Sequence, residues 1–197
     1  MARPRSDDKR KAILDATLRV FAERGIASAP TSAISRAAGV AEGTLFTYFK
    51  TKDELMNELY LELRQEFSRH LPEFPHSGDA ETRLRYIWDK YLDLGMAQPE
   101  QLKVLAQLRV SGRLFKENET PAFAFVQVLK ATHEAAEGSE LRNAPPEYLV
   151  LMMRAQAEIT VEYINAHPEY EAVCRELGFK MLWKGLTGES LSSSCDA

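Results

Sequence analysis

Thr31–Leu55 reads TSAISRAAGVAEGTLFTYFKTKDEL, and its punctuation divides it into two short helices and the opening of a third. Ala33, Ile34, Ala37 and Ala38 recur at helical spacing on one face, and Gly39 stands where a left-handed residue ends a helix. Val40 fills the turn, and Leu45, Phe46 and Phe49 form the expected apolar side of the next short helix. Thr51 and Glu54, three apart, make a capping box that opens a long amphipathic helix. Two short helices crossed over a glycine turn form a helix-turn-helix, whose second helix enters a DNA major groove.

Upstream, Ser6 is a good N-cap with Asp7 and Asp8 in the following turn, and Gly25 ends the helix so begun. Its expected apolar stripe is Ile13, Leu14, Thr17, Leu18 and Phe21. Downstream, a helix from Lys52 runs towards His70 and stops at Pro72, and the breaker-rich PEFPHSGD of 72–79 marks a boundary. Beyond it, Leu84, Ile87, Trp88, Tyr91 and Leu92 share one helical face. Pro99 opens a helix carrying Leu102, Leu105, Leu108 and Leu114. Pro121 opens one with Phe123, Phe125, Val126 and Leu129 that ends near Gly138. Pro146 and Pro168 open the last two, and 189–197 is an expected frayed tail. No segment alternates like a strand. The expectation is an all-α chain of about nine helices, divided as a head (1–51), a connecting helix (52–71) and a helical body (72–188).

Composition narrows the classes. With 197 residues, 45% hydrophobic and 27% charged, this is an ordinary globular chain. No apolar run reaches the ~18 residues of a membrane span, and MARPRSDDKRK carries no apolar signal core. A cytoplasmic location without membrane contact is expected. Cys174 and Cys195 are too few for a disulfide framework. The four histidines are scattered, without a metal-ligand spacing, glycine-rich phosphate loop or nucleophile elbow, so no metal, cofactor or enzyme activity is expected.

The net charge of −4 is unevenly spread. Residues 1–52 hold ten basic and five acidic side chains, hence +5, which leaves −9 for the rest. A basic head on an acidic body suits local phosphate attraction.

The run Gly39–Leu55, GVAEGTLFTYFKTKDEL, resembles the signature of the TetR family of transcriptional repressors. Ile13-Leu14-Asp15-Ala16 and Phe21-Ala22-Glu23-Arg24-Gly25 are similar to that family's first helix. By position in the motif, the resemblance implies that Gly43, Thr44, Thr47 and Tyr48 face DNA while Leu45 and Phe49 hold the recognition helix from behind. Tyr48, Lys52, Thr31 and Ser32 are implied at phosphates, and Arg3 and Arg5 form a basic arm that reaches DNA or simply solubilises the chain. Two departures stand out: Glu42 brings a negative charge to the recognition helix, and Phe46 replaces a tyrosine frequent in the family.

The family further implies a homodimer on a palindromic operator, with recognition helices roughly 34–36 Å apart. The expected isologous contact draws Leu149, Met153, Ala157, Thr160 and Ile164 from one helix and Leu177, Met181 and Trp183 from the last, with Ala155 and Ala157 allowing close approach. MARPRSDDKR, LYLEL, Tyr86-Ile87-Trp88 and LGFKMLW are similar to the RamR-like, multidrug- and bile-acid-responsive members. That resemblance implies ligand contacts at Tyr60, Arg64, Trp88 and Met153, with an acidic contact of those members absent near Val150, and the body's surplus of aromatics adds Tyr91 and Phe123 as candidates. Hydrophobic or amphipathic ligands of either charge remain open, as does plain core packing for every aromatic at helical spacing. In the expected mechanism a ligand between Tyr60 and Trp88 shifts the heads out of operator register. The alternatives are a helical dimer that binds another protein, or an activator without small-molecule induction.

Overall fold

A computed structural model describes residues 4–70, 78–115 and 130–188, with the side chains of residues 4–6, 70 and 140 left aside. Among the described residues the chain is all-helical, without a strand. The order is α1 (Pro4–Arg24), α2 (Thr31–Ala37), α3 (Glu42–Tyr48), α4 (Lys52–His70), α5 (Ala80–Ala97) and α6 (Pro99–Val110). A helical stretch over 130–135 (α7) follows. A 3-10 turn, Glu140–Asn143, leads to α8 (Pro146–Ala166), and a second, Pro168–Tyr170, leads to α9 (Glu171–Thr187). The expected loop at 72–79 and helix from Pro121 fall largely outside the described residues, as does the tail after Gly188.

Local chemistry sets the boundaries. Gly39 takes φ 67° after α2, a conformation costly for any side chain with a Cβ. The Thr51 hydroxyl accepts from the Glu54 amide at 3.0 Å, and the Glu54 carboxylate accepts from the Lys50 amide at 2.7 Å. The capping box is therefore present, with its acid reaching one residue further back than the simplest form. Helix α1 starts at Pro4 rather than after Ser6, because proline has no amide to leave unpaired in a first turn and its φ is already helical.

Packing divides the chain into two compact units: one within 1–67 and 100–120, the other within 68–99 and 121–197. Most of α6 thus belongs with the head, although it lies inside the expected 72–188 body. In the first unit α2 packs on α1 and α3 on α2. Ile13, Leu14, Phe21, Ile34, Leu45, Phe49, Leu55 and Met56 are fully buried there.

In the second unit α5, α8 and α9 pack against one another. Trp88 has no exposed surface, and its indole N–H donates to the Arg175 carbonyl at 3.0 Å. A Cβ on Gly178 would lie 2.6 Å from the edge of that indole, so glycine is what lets α9 approach α5. Arg175 completes the join, with its guanidinium on the carboxylates of Asp89, Asp93 and Glu171.

Candidate nucleic-acid interface and sensing body

Helix α3 has a clear back and front. Leu45 and Phe49, four apart, are buried against the head. Gly43 and Thr47 are exposed, and Thr44 and Tyr48 are half-buried. The Thr47 hydroxyl donates to the Gly43 carbonyl at 2.9 Å, which leaves its methyl and lone pairs outward. Gly43 has ordinary backbone geometry, and nothing of the chain lies within 4 Å of the Cβ it lacks. Internal packing does not require glycine there.

Phe46 departs from expectation. It is 41% exposed and stands on the open side of α3, off the apolar face where Leu45 and Phe49 lie. The spacing contained the reason: residues i and i+4 define one face, and residue i+1 is turned about 100° away. An exposed ring beside Thr47 is suited to a thymine methyl.

Glu42 has a partner. Its carboxylate accepts from the Thr31 hydroxyl at 2.7 Å, so the two helices of the motif are tied across the turn. Thr31 is therefore engaged inside the head, whereas Ser32 is exposed. Lys52, expected at phosphate, also turns inward. Its ammonium donates to the carbonyls of Ile26 (2.8 Å) and Ala29 (2.6 Å) and lies over the Phe21 ring at 5.7 Å. Burial, and then the nearby Arg113 charge, hold its pKa below that of an ordinary lysine. Lys50, two residues earlier, is exposed, as is Arg36 on α2. Neither was singled out from the sequence. Arg3 lies outside the described residues, and so does the Arg5 side chain.

The expected ligand residues within the described segments are divided between the two units. Tyr60 is buried in the core of the first unit and Arg64 is half-buried in it. Trp88 and Met153 are core residues of the second unit. Phe123 lies outside the described residues. Tyr91 is half-buried, and its hydroxyl donates to Glu158 at 2.9 Å, with Arg154 at 3.8 Å from the same carboxylate. An acid does stand in the second unit: Glu158, further along α8 from Val150. An open cleft of about 130 Å³ in the first unit is floored by Leu14, Leu59 and Leu63 and contains none of the six.

The dimer expectation needs correction on α8. Leu149, Met153, Ala157 and Ile164 are buried in the chain's own core. The Thr160 hydroxyl donates to the Gln156 carbonyl and lies near Gly178. The outward apolar stripe is displaced by one position: Tyr148, Met152, Ile159 and Tyr163. The reason is that α8 is apolar around most of its circumference, so spacing alone does not choose the inner face. On α9, Leu177 and Met181 are exposed, with Val173 beside them, while Trp183 is half-buried and stacks on Phe179.

A glycine-turned pair of short helices, buried behind and open in front, defines a helix-turn-helix protein. The pattern of bacterial regulatory proteins of the tetR family matches residues 13–59, and this segment of the chain belongs to that family. It is 31% identical over 99 residues to a fatty acid metabolism regulator protein of Bacillus subtilis, and the match spans 50% of each chain. The chain thus spans about half the length of that relative. A putative tetR-family regulator from Shewanella sp. PV-4 superposes with TM-score 0.76 at 28% identity, covering 90% of this chain and 97% of that one. At 20% identity and TM-score 0.61, the fold is also that of the regulator FadR from Bacillus subtilis, solved in complex with stearoyl-CoA; 90% of this chain and 98% of that one are covered.

Proposed function

We propose that this chain is a ligand-responsive regulator of transcription, a repressor that binds a palindromic operator as a homodimer and leaves it when an amphipathic small molecule binds. The observation that carries the DNA reading is α3 itself. Leu45 and Phe49 anchor it, while Gly43, Thr47 and Phe46 form an open face that the chain's own packing does not use. Gly43 allows close backbone approach, Thr47 and Phe46 present methyl and ring to base edges, and Thr44, Tyr48, Ser32, Lys50 and Arg36 are set to meet the backbone. The charge of +5 over residues 1–52 supplies the non-specific attraction.

Dimerisation through Tyr148, Met152, Ile159 and Tyr163 of α8 with Val173, Leu177 and Met181 of α9 is supported by their exposure, since a soluble chain seldom leaves so continuous an apolar stripe uncovered. The ligand is proposed as an amphipath held by the second unit near Tyr91 and Glu158. The RamR-like resemblance favours multidrug-type or bile-acid-like compounds. The Bacillus relatives, one named for fatty acid metabolism and one solved with stearoyl-CoA, support a long-chain acyl thioester as the first compound to try. A gel-shift titration against the chain's own upstream DNA over a salt series tests the reading. A specific shift with a steep salt slope supports it, and no shift at any salt rejects it in favour of a protein-binding module.

A further inference from the structure

Glu42 is the one charge on the open face of α3 that phosphate attraction does not explain. It is exposed in the first turn of the helix, beside Gly43 and one turn before Phe46. Its carboxylate is nevertheless oriented: Oε1 accepts from the Thr31 hydroxyl at 2.7 Å, across the turn of the motif. Among the described residues no ion pair neutralises it. A carboxylate here weakens binding to every sequence alike, because it opposes the attraction that the +5 charge of residues 1–52 supplies. Only a base edge can offset that cost.

Two bases offer an amino hydrogen in the major groove, cytosine at N4 and adenine at N6. They are unequal partners for a carboxylate, which accepts and cannot donate. Adenine sets the N7 lone pair beside its amino group, so the approaching carboxylate meets an acceptor there. Cytosine has a C–H on that side instead. With Oε1 anchored on Thr31, Oε2 is left to accept from a single amino group, and cytosine is the base that fits. Phe46 narrows the context. Residues 42 and 46 share a helical face with Cβ atoms about 5–6 Å apart, against a rise of about 3.4 Å per base pair. The cytosine therefore lies one or two steps from the thymine methyl that Phe46 suits.

We propose that Glu42 is a specificity-determining residue that accepts a hydrogen bond from the N4 amino group of one cytosine in each operator half-site. This rests on the DNA-binding reading above and gives the operator a required base.

The experiment uses the full chain as wild type, Glu42→Ala and Glu42→Gln, each allowed to select duplexes from a random pool. The wild type is expected to select one cytosine per half-site, within about two base pairs of a thymine. Changing that C·G pair to T·A turns the thymine O4 acceptor towards the carboxylate and should weaken binding by roughly ten-fold. Glu42→Ala should bind the two duplexes within about two-fold of each other. It should also bind a random duplex at least as tightly as the wild type, since a repulsive charge has gone. Glu42→Gln keeps an acceptor for Thr31 and adds a donor, the combination that matches adenine N6 and N7, so its selected base at this position should change from cytosine to adenine. Wild-type half-sites without a selected cytosine, or equal wild-type binding of the C·G and T·A duplexes, overturn the proposal whatever the variants do. An unchanged selected base in Glu42→Gln overturns it too. So does a Glu42→Ala chain that loses selected and random duplexes alike, the sign of a residue that only ties the two helices together. A wild-type chain that selects no duplex overturns the DNA-binding reading itself, a result recognisable before any base is exchanged.

Discussion

Lys50 and Lys52 differ in what their ammonium groups reach, although both follow the recognition helix closely. Lys52 holds the carbonyls of Ile26 and Ala29, which positions the loop leading into α2. Replacing it with methionine removes two charge-assisted hydrogen bonds, and chemical denaturation is expected to report a loss of roughly 1–3 kcal/mol. The salt slope of operator binding should stay as it is. Lys50→Ala should do the reverse, leaving stability within about 0.5 kcal/mol while the slope falls by about 1 per head. Gly43 tests the front of α3 in the same way. Because a glycine inside a helix costs roughly 0.5–1 kcal/mol relative to alanine and no neighbour crowds the site, Gly43→Ala should melt no lower than the wild type. Anisotropy titration of operator binding should nevertheless weaken by roughly ten-fold, as the added methyl holds the backbone off the base edges.

Between elements, the contacts of α9 and the cap of α5 are the ones that single substitutions reach. Gly178→Ala would drive a methyl into the Trp88 ring, so α9 must retreat from α5 or the indole must leave its place on the Arg175 carbonyl. Overpacking of this kind costs about 1–3 kcal/mol, read as a lowered denaturation midpoint together with a changed tryptophan emission. Asp79 caps α5 by accepting from the Thr82 amide at 2.9 Å, and that bond holds its carboxyl below the ordinary aspartate value. A pKa depressed on folding contributes stability above the unfolded value of ~3.9, and the contribution fades as pH falls through the lower folded value. Asp79→Asn keeps an N-cap acceptor without the titration. Stability curves of wild type and variant should therefore converge as the pH drops from 6 towards 3. Curves that stay parallel would refute the assignment.

At the level of the whole molecule, the exposed stripe of α8 and α9 decides the assembly. Ile159 is 69% exposed, so Ile159→Glu places a charge on the surface of the chain and should leave its circular dichroism unchanged. Light scattering is expected to report two chains of 22.3 kDa for the wild type and one for the variant. Leu149→Glu, one face round, should unfold the second unit instead, since it buries an unpaired carboxylate in the core. A variant at Ile159 that remains dimeric would move the interface to another surface. The head also does not end where the third helix ends, because residues 100–115 pack with it.

The sequence by itself determined the helices, their order and the motif, because caps, glycine stops and proline starts are local. Thr51 with Glu54, Gly39 and Gly25 act within a few residues of where they stand, and the periodic stripe of α1 has one apolar side. It also determined the back face of α3 through the Leu45–Phe49 spacing. Only the tertiary structure decided which of two apolar faces of α8 turns inward, because Leu149 and Tyr148 carry equally apolar patterns and their burial depends on α5 and α9. It alone decided that Lys52 is a strut, that Trp88 closes against Gly178, and that Asn57 meets residues more than fifty positions away. Those outcomes arise from long-range pairing of polar and shape-matched groups, and spacing along the chain does not encode their partners.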